Sequence, residues 1–227
     1  MPNPVFSLPH YRERLLFMGT NGSGKSVLAA QLLARFPTWV AIDPKGDFRV
    51  ADSDAKILRK PDDWHWAGKM GHYGRPDQII YRPTEEYDNK LSYNYVLGKL
   101  LERGKREGKS NPFIVYIDEM LYLSDVNATQ YAKIIAVAGR SLNIGFWASS
   151  QRPKGIPVVI RTEAWRWEIF PLMYSEDEKE IERYTKGRLT IEMLQNSEGE
   201  DFSFFELKRS KGGKTLTITH FPPLRMP

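Results

Sequence analysis

Gly19-Thr20-Asn21-Gly22-Ser23-Gly24-Lys25-Ser26 fills every fixed position of the pattern G-x-x-x-x-G-K-[ST]. Glycine at these points lets the backbone fold tightly enough for several N–H groups to face one set of phosphate oxygens. A helix that begins at the lysine adds its positive end to the same spot. Lys25 would reach the β- and γ-phosphates of a nucleoside triphosphate, and the Ser26 hydroxyl would ligate Mg²⁺. With Val27 opening the helix, Gly19, Thr20, Asn21, Gly22, Ser23, Gly24, Lys25, Ser26 and Val27 form the candidate nucleotide-binding set.

Phe113-Ile114-Val115-Tyr116-Ile117 is an apolar strand that ends on two acids, Asp118 and Glu119. Nucleotide-bound Mg²⁺ keeps several waters, so Asp118 is expected to hold it through one of them. A carboxylate at Glu119 can orient and polarise an attacking water, which suits hydrolysis better than transfer to a small acceptor. A third strand end, Ala148-Ser149-Ser150-Gln151-Arg152-Pro153, would bring Gln151 beside the γ-phosphate at the carboxyl edge of a sheet. Its amide can hydrogen-bond both a phosphate oxygen and a water.

Positioning these groups requires short apolar strands that alternate with helices, and the chain has that pattern. Strands are expected over residues 15–18, 39–42, 78–81, 113–117, 144–148 and 165–170. Helices are expected over 26–35, 93–107, 129–142 and 176–184, and a hairpin joins 202–207 to 215–219 around Lys211-Gly212-Gly213-Lys214. Residues 52–76, polar and rich in Gly and Trp, give no readable period. The expected class is α/β: a mainly parallel sheet flanked by helices, with a C-terminal β-hairpin. One domain spans 1–227, with its core over about 12–175 and an extension over about 176–227.

The bulk numbers exclude several classes. With 227 residues the chain can bury a core without staples, and with no cysteine it has neither disulfides nor cysteine-held zinc. His10, His65, His72 and His220 lack metal-ligand spacing, so no protein-held zinc is expected. No apolar run approaches the roughly 18 residues of a membrane span, and no leader segment stands at the N-terminus. The expected location is cytoplasmic. The net charge of +5 suits a polyanionic partner without requiring one. Two basic runs, Arg103, Lys105, Arg106, Lys109 and Lys208, Arg209, Lys211, Lys214, read first as solvated ends and second as phosphate contacts. Trp64 and Trp66 read equally as packing anchors and as base stackers.

Residues 138–153, an arginine-bearing helix followed by a strand that ends in Ser150-Gln151-Arg152-Pro153, resemble the FtsK/HerA superfamily of DNA-pumping ATPases. Asp43-Pro44-Lys45-Gly46-Asp47 resembles that superfamily's second-strand motif, and residues 156–161 resemble its next segment. The matches run in order from about residue 15 to 175. The resemblance implies a RecA-like (ASCE) P-loop core that binds ATP and Mg²⁺ and assembles into a ring, usually a hexamer, around double-stranded DNA. It also implies an arginine supplied to each site by the neighbouring subunit, with Arg140 the first candidate and Arg152 and Arg161 next. Lys25, Glu119 and Gln151 are then the catalytic set. The compact chain is most similar to the genome-packaging ATPases of tailless icosahedral viruses with internal membranes, which implies a capsid-vertex or membrane-protein partner and action in a host cytoplasm. Three alternatives stay open: a cellular or plasmid DNA pump, a P-loop phosphotransferase, and an ATP-dependent interaction switch.

Overall fold

A strand buried on both faces favours consecutive apolar residues, and runs such as Trp39–Ile42 and Phe113–Ile117 supply them. The computed structural model describes residues 5–51, 53–63, 78–196, 202–210 and 215–224. Strands β1 (Arg14–Met18), β2 (Trp39–Ile42), β5 (Phe113–Ile117), β6 (Ile144–Ser150) and β7 (Arg166–Ile169) are buried along their whole lengths. With β3 (Lys56–Leu58), β4 (Gln78–Tyr81), β8 (Phe204–Arg209) and β9 (Leu216–Phe221) they form one sheet in the order β3-β4-β2-β5-β6-β1-β7-β8-β9. The first seven strands in that order are parallel, and β8 and β9 close the edge in antiparallel register.

Alternation sends successive side chains to opposite faces. Leu16, Met18, Val40, Ile42, Val115 and Ile117 enter one core, covered by α2 (Lys90–Glu107), α3 (Met120–Asp125), α4 (Gln130–Ala138) and α6 (Ser175–Tyr184). Leu15, Phe17, Trp39, Ala41, Tyr116 and Trp147 enter the other core, against α1 (Lys25–Leu33) and the aromatic pair Phe204 and Phe221. Two shorter helices, α5 (Val158–Glu163) and α7 (Ile191–Asn196), contribute Ile160 and Leu194 to the first core.

The expected strands and helices are present, with informative differences at their ends. Helix α2 starts at Lys90, earlier than expected, because the Asn89 side chain accepts the Ser92 N–H at 3.1 Å and caps it. Helix α4 stops at Ala138 and becomes a 3₁₀ turn, Gly139–Leu142, after which Asn143 at φ 55° reverses the chain into β6. Strand β6 runs on to Ser150, past the expected end at 148. The hairpin strands sit about two residues later than expected, at Phe204–Arg209 and Leu216–Phe221. Strand β3 and helices α3, α5 and α7 were not expected from the pattern. Trp64, His65, Trp66, His72 and the hairpin tip Lys211–Lys214 lie outside the described residues.

The β7–β8 junction carries a buried charge cluster. Arg166 Nε donates to Glu168 Oε1 at 2.6 Å, and the same guanidinium ion-pairs with Glu206 at 2.5 Å. Lys208 pairs with Glu206 at 2.7 Å from the rim. Glu168 is wholly buried, and its Oε2 has no hydrogen-bond partner among the described residues. Burial, only partly offset by Arg166, pushes the Glu168 carboxyl up from 4.5 to about 8. Between those two values the folded chain holds a proton that the unfolded chain has lost. Its contribution to stability is therefore full below pH 4.5 and gone above about pH 8. Urea unfolding should show stability falling as pH rises through this window, by at most about 1.4 kcal/mol per pH unit. Glu168→Gln should flatten that slope.

Candidate active site

Strand β6 lies between β1 and β5, so three strand ends meet at one edge. The glycine loop leaves β1 there and is tied to its neighbours by backbone bonds. Gly19 N–H donates to the Ser150 carbonyl at 3.3 Å, and Thr20 N–H donates to the Pro171 carbonyl at 2.9 Å. Gly24, at φ 102°, precedes α1, and a Cβ there would stand 2.9 Å from the Phe202 ring. Only glycine fits that conformation and that contact.

Lys25 is buried, and its Nζ donates to the Thr20 carbonyl at 2.6 Å. Burial pushes its ammonium down to about 8; Glu119 and Asp118 oppose that shift, and Lys45 adds to it. One oxygen of Asp118, Oδ1, accepts three hydroxyls: Ser26 at 2.9 Å, Tyr116 at 2.7 Å and Ser149 at 2.9 Å. A carboxylate oxygen with three donors is fixed in place.

Glu119 follows at φ 75°, ψ 80°, a left-handed conformation that a non-glycine residue adopts at a cost of about 1–3 kcal/mol. Its N–H donates to Ser149 Oγ at 3.0 Å. Its carboxylate accepts Ser150 Oγ at 3.1 Å and the Gln151 N–H at 3.3 Å on Oε1, and Lys45 Nζ at 3.1 Å on Oε2. Ser149 therefore bridges the two acids that follow β5, and Ser150 adds a second link to Glu119.

Lys45 belongs to a loop whose shape is set by Asp43. Asp43 accepts the Gly46 N–H at 2.8 Å and Arg82 Nε at 2.7 Å, and Arg82 also donates to the Phe48 carbonyl at 2.8 Å. A cavity of about 310 Å³ is bordered by Lys25, Ser26, Lys45, Asp118, Glu119 and Ser149. The Ser26 hydroxyl and the Asp118 carboxylate are hard oxygen donors of the kind Mg²⁺ takes, and the glycine loop offers the matching cradle for phosphate. Carboxylate oxygens of Asp43, Asp47 and Asp118 also lie within 4.8 Å of one another, although Asp43 is already engaged by Arg82. A second, apolar cavity of about 430 Å³ adjoins the first through Gly24, Val27 and Phe202.

Lys25, Ser26, Asp118 and Glu119 thus meet in one place, and Gln151 reaches it through its backbone N–H. The three arginines do not border the cavity. Arg140 is exposed at the opposite, amino end of β6, with its guanidinium 4.6 Å from the centre of the Trp165 ring. Arg152 pairs with Asp177 at 3.0 Å, and Arg161 pairs with Glu180 at 2.7 Å. Arg103 departs from its solvated reading: it is buried, 5.0 Å from the Phe113 ring centre. Arg209 lies over the Tyr184 ring at 4.5 Å.

Lys45 and Ser149 belong to the site although the sequence reading gave them no role. The Asp43–Asp47 motif was visible, but its lysine's partner is on another strand.

The match to solved structures covers nearly the whole chain. The genome packaging NTPase B204 from Sulfolobus turreted icosahedral virus 2, in complex with AMPPCP, aligns at TM-score 0.65 and 15% identity over 95% of this chain and 100% of that one. B204, the DNA-packaging ATPase from Sulfolobus Turreted Icosahedral Virus, aligns at 0.61 and 17% over 92% and 96%. The cytoplasmic domain of the Thermomonospora curvata Type VII secretion ATPase EccC aligns at 0.54 and 15% over 94% of this chain and 26% of that one. The likeness shows that the chain shares the α/β P-loop fold of these ATPases. No family model and no curated protein matches the sequence.

Within that P-loop fold, Ser149 carries a bond from each acid, so Ser149→Ala leaves the Glu119 N–H and one Asp118 contact without a partner. Loss of about 1–3 kcal/mol is expected in chemical denaturation. Ser149→Thr, which keeps the hydroxyl, should lose less.

Proposed function

We propose that the chain is an ATP-hydrolysing motor that moves double-stranded DNA, and that its work is to package a viral genome into a capsid. The observation that carries hydrolysis is Glu119, a buried carboxylate held in a strained conformation on the wall of a cavity that Lys25, Ser26 and Asp118 also line. Strain of this kind persists where the surrounding structure enforces it, here through Ser149, Ser150 and Lys45. The packaging reading is supported by full-length likeness to proteins described as a genome packaging NTPase and a DNA-packaging ATPase.

In this reading the backbone from Gly19 to Val27 cradles the triphosphate, and Lys25 neutralises charge on its terminal phosphates. Ser26 and Asp118 would hold Mg²⁺. The ion supplies charge neutralisation to the transferring phosphoryl group. Glu119 orients the attacking water and takes its proton. Gln151, next to Glu119 in space, links the state of the site to neighbouring subunits. An arginine from the next subunit completes the site in a ring, proposed to be a hexamer around DNA. Arg140 is the first candidate because it is exposed, whereas Arg152 and Arg161 are already paired with acids. The capsid vertex, or a membrane protein there, is the proposed docking partner in the host cytoplasm. No helix among the described residues is long and apolar enough to cross a membrane.

Purified protein with Mg²⁺-ATP should release phosphate faster when duplex DNA is added. Lys25→Ala and Glu119→Gln should each reduce turnover by about 100-fold or more. Transfer of the γ-phosphate to a small acceptor, with no effect of DNA, would sink the motor reading.

The apolar cavity suits the nucleobase. Its walls include Phe170, Phe202, Phe204, Pro223 and Leu224, and Gln31 is the polar side chain among them. A pocket that reads a base mainly by its flat face discriminates weakly between purines. GTP should therefore be hydrolysed with kcat/KM within about tenfold of ATP, whereas Phe202→Ala should raise KM for both nucleotides.

A further inference from the structure

Both oxygens of the Glu119 carboxylate are engaged. Oε1 accepts Ser150 Oγ at 3.1 Å and the Gln151 N–H at 3.3 Å, and Oε2 accepts Lys45 Nζ at 3.1 Å. The ammonium occupies an acceptor site on Oε2, and a water that approaches that oxygen must compete with it. The two partners are unequal in character. Ser150 and Gln151 are fixed by β6 and the turn after it, whereas Lys45 lies on a loop and its side chain is 35% exposed. Lys45 also borders the cavity that Lys25 and Ser26 line, so its ammonium is within reach of a second anion placed there. That loop is itself held firmly at Asp43 by Arg82 and the Gly46 N–H, which leaves the lysine side chain as the movable part.

We infer that Lys45 is a positioning residue that exchanges partners: it holds Glu119 until a terminal phosphate occupies the cavity, then pairs with that phosphate and frees Glu119 Oε2 for water. No covalent step is involved; one ion pair replaces another. A nucleoside diphosphate lacks the competing group, so it leaves Lys45 on Glu119. Lys45 thereby makes the site sense the third phosphate. This rests on reading the cavity as a nucleotide site and Glu119 as the group that activates water. The binding part, however, can be tested without turnover.

The test is a double-mutant cycle with ADP and a methylene-bridged ATP analogue, read by calorimetry on the full chain. Lys45→Met should weaken the analogue by about tenfold or more, the size of a lost charged hydrogen bond, and leave ADP within about twofold. Glu119→Gln should tighten the analogue by several-fold, because Lys45 no longer leaves an anion to bind it, and should not tighten ADP. In the double variant that gain should vanish. Lys45→Arg, which keeps the charge, should retain most of the analogue-to-ADP preference, and circular dichroism checks that every variant is folded. An unchanged analogue-to-ADP ratio in folded Lys45→Met overturns the proposal. So does a gain from Glu119→Gln that persists without Lys45. If Glu119→Gln still hydrolyses ATP at the normal rate while the cycle behaves as described, the water-activating role fails and the phosphate-sensing role stands.

Discussion

One placement governs the chemistry of this chain: β6 is inserted between the strand that feeds the glycine loop and the strand that ends in two acids. Strands β5 and β6 are apolar until they approach their carboxyl ends, so the polar groups of the site fall at those ends. With β6 in the middle, Ser149 and Ser150 fall between Lys25 on one side and Asp118 and Glu119 on the other. Their hydroxyls are small enough to be buried and can donate and accept at once. Ser149 uses both capacities, donating to Asp118 and accepting from the Glu119 N–H. A larger or purely apolar residue there would separate the two acids from the loop they serve.

That arrangement explains why strain is tolerated at Glu119. A left-handed, non-glycine residue persists only where its neighbours hold it, and Glu119 has partners on its N–H and on both carboxylate oxygens. The same logic appears one strand further out. Asp43 is buried and would be costly alone, but Arg82 and two backbone N–H groups compensate it. The result is a rigid loop that presents the flexible side chain of Lys45 to the cavity. Rigid backbone with one movable charge is what a phosphate-responsive site requires.

The strands that carry the chemistry were legible because their signals are local. Leu15 to Met18 and Phe113 to Ile117 are uninterrupted apolar runs that end directly in loop and acid residues, so composition and order suffice. What was not legible depends on partners distant in sequence. Lys45 and Glu119 meet only because β2 and β5 are neighbours, a pairing that no window of sequence contains. Ser149 reads as one more polar residue at a strand end until β5 is placed beside it. Helices α3 and α5 are six residues each, too short for a period to emerge, and are fixed by packing through Leu123 and Ile160. The end of α4 falls at Ala138 because Gly139, a poor helix former, follows it, and Asn143 at φ 55° then turns the chain into β6.

The position of Arg140 bears directly on assembly. It stands at the amino end of β6, while Lys25, Asp118 and Glu119 stand beyond the carboxyl ends of their strands, so the length of β6 separates it from the site in its own chain. If Arg140 acts on a triphosphate at all, that triphosphate belongs to another copy. Contact between the Arg140 edge of one copy and the loop edge of the next joins two different surfaces, which is a head-to-tail interface. Such an interface leaves each copy with one edge still unmatched, so association continues, as a ring if the rotation closes and as a filament if it does not. The same β6 placement that builds the site thus sets the two surfaces apart, since β6 carries the two serines at one end and follows Arg140 at the other.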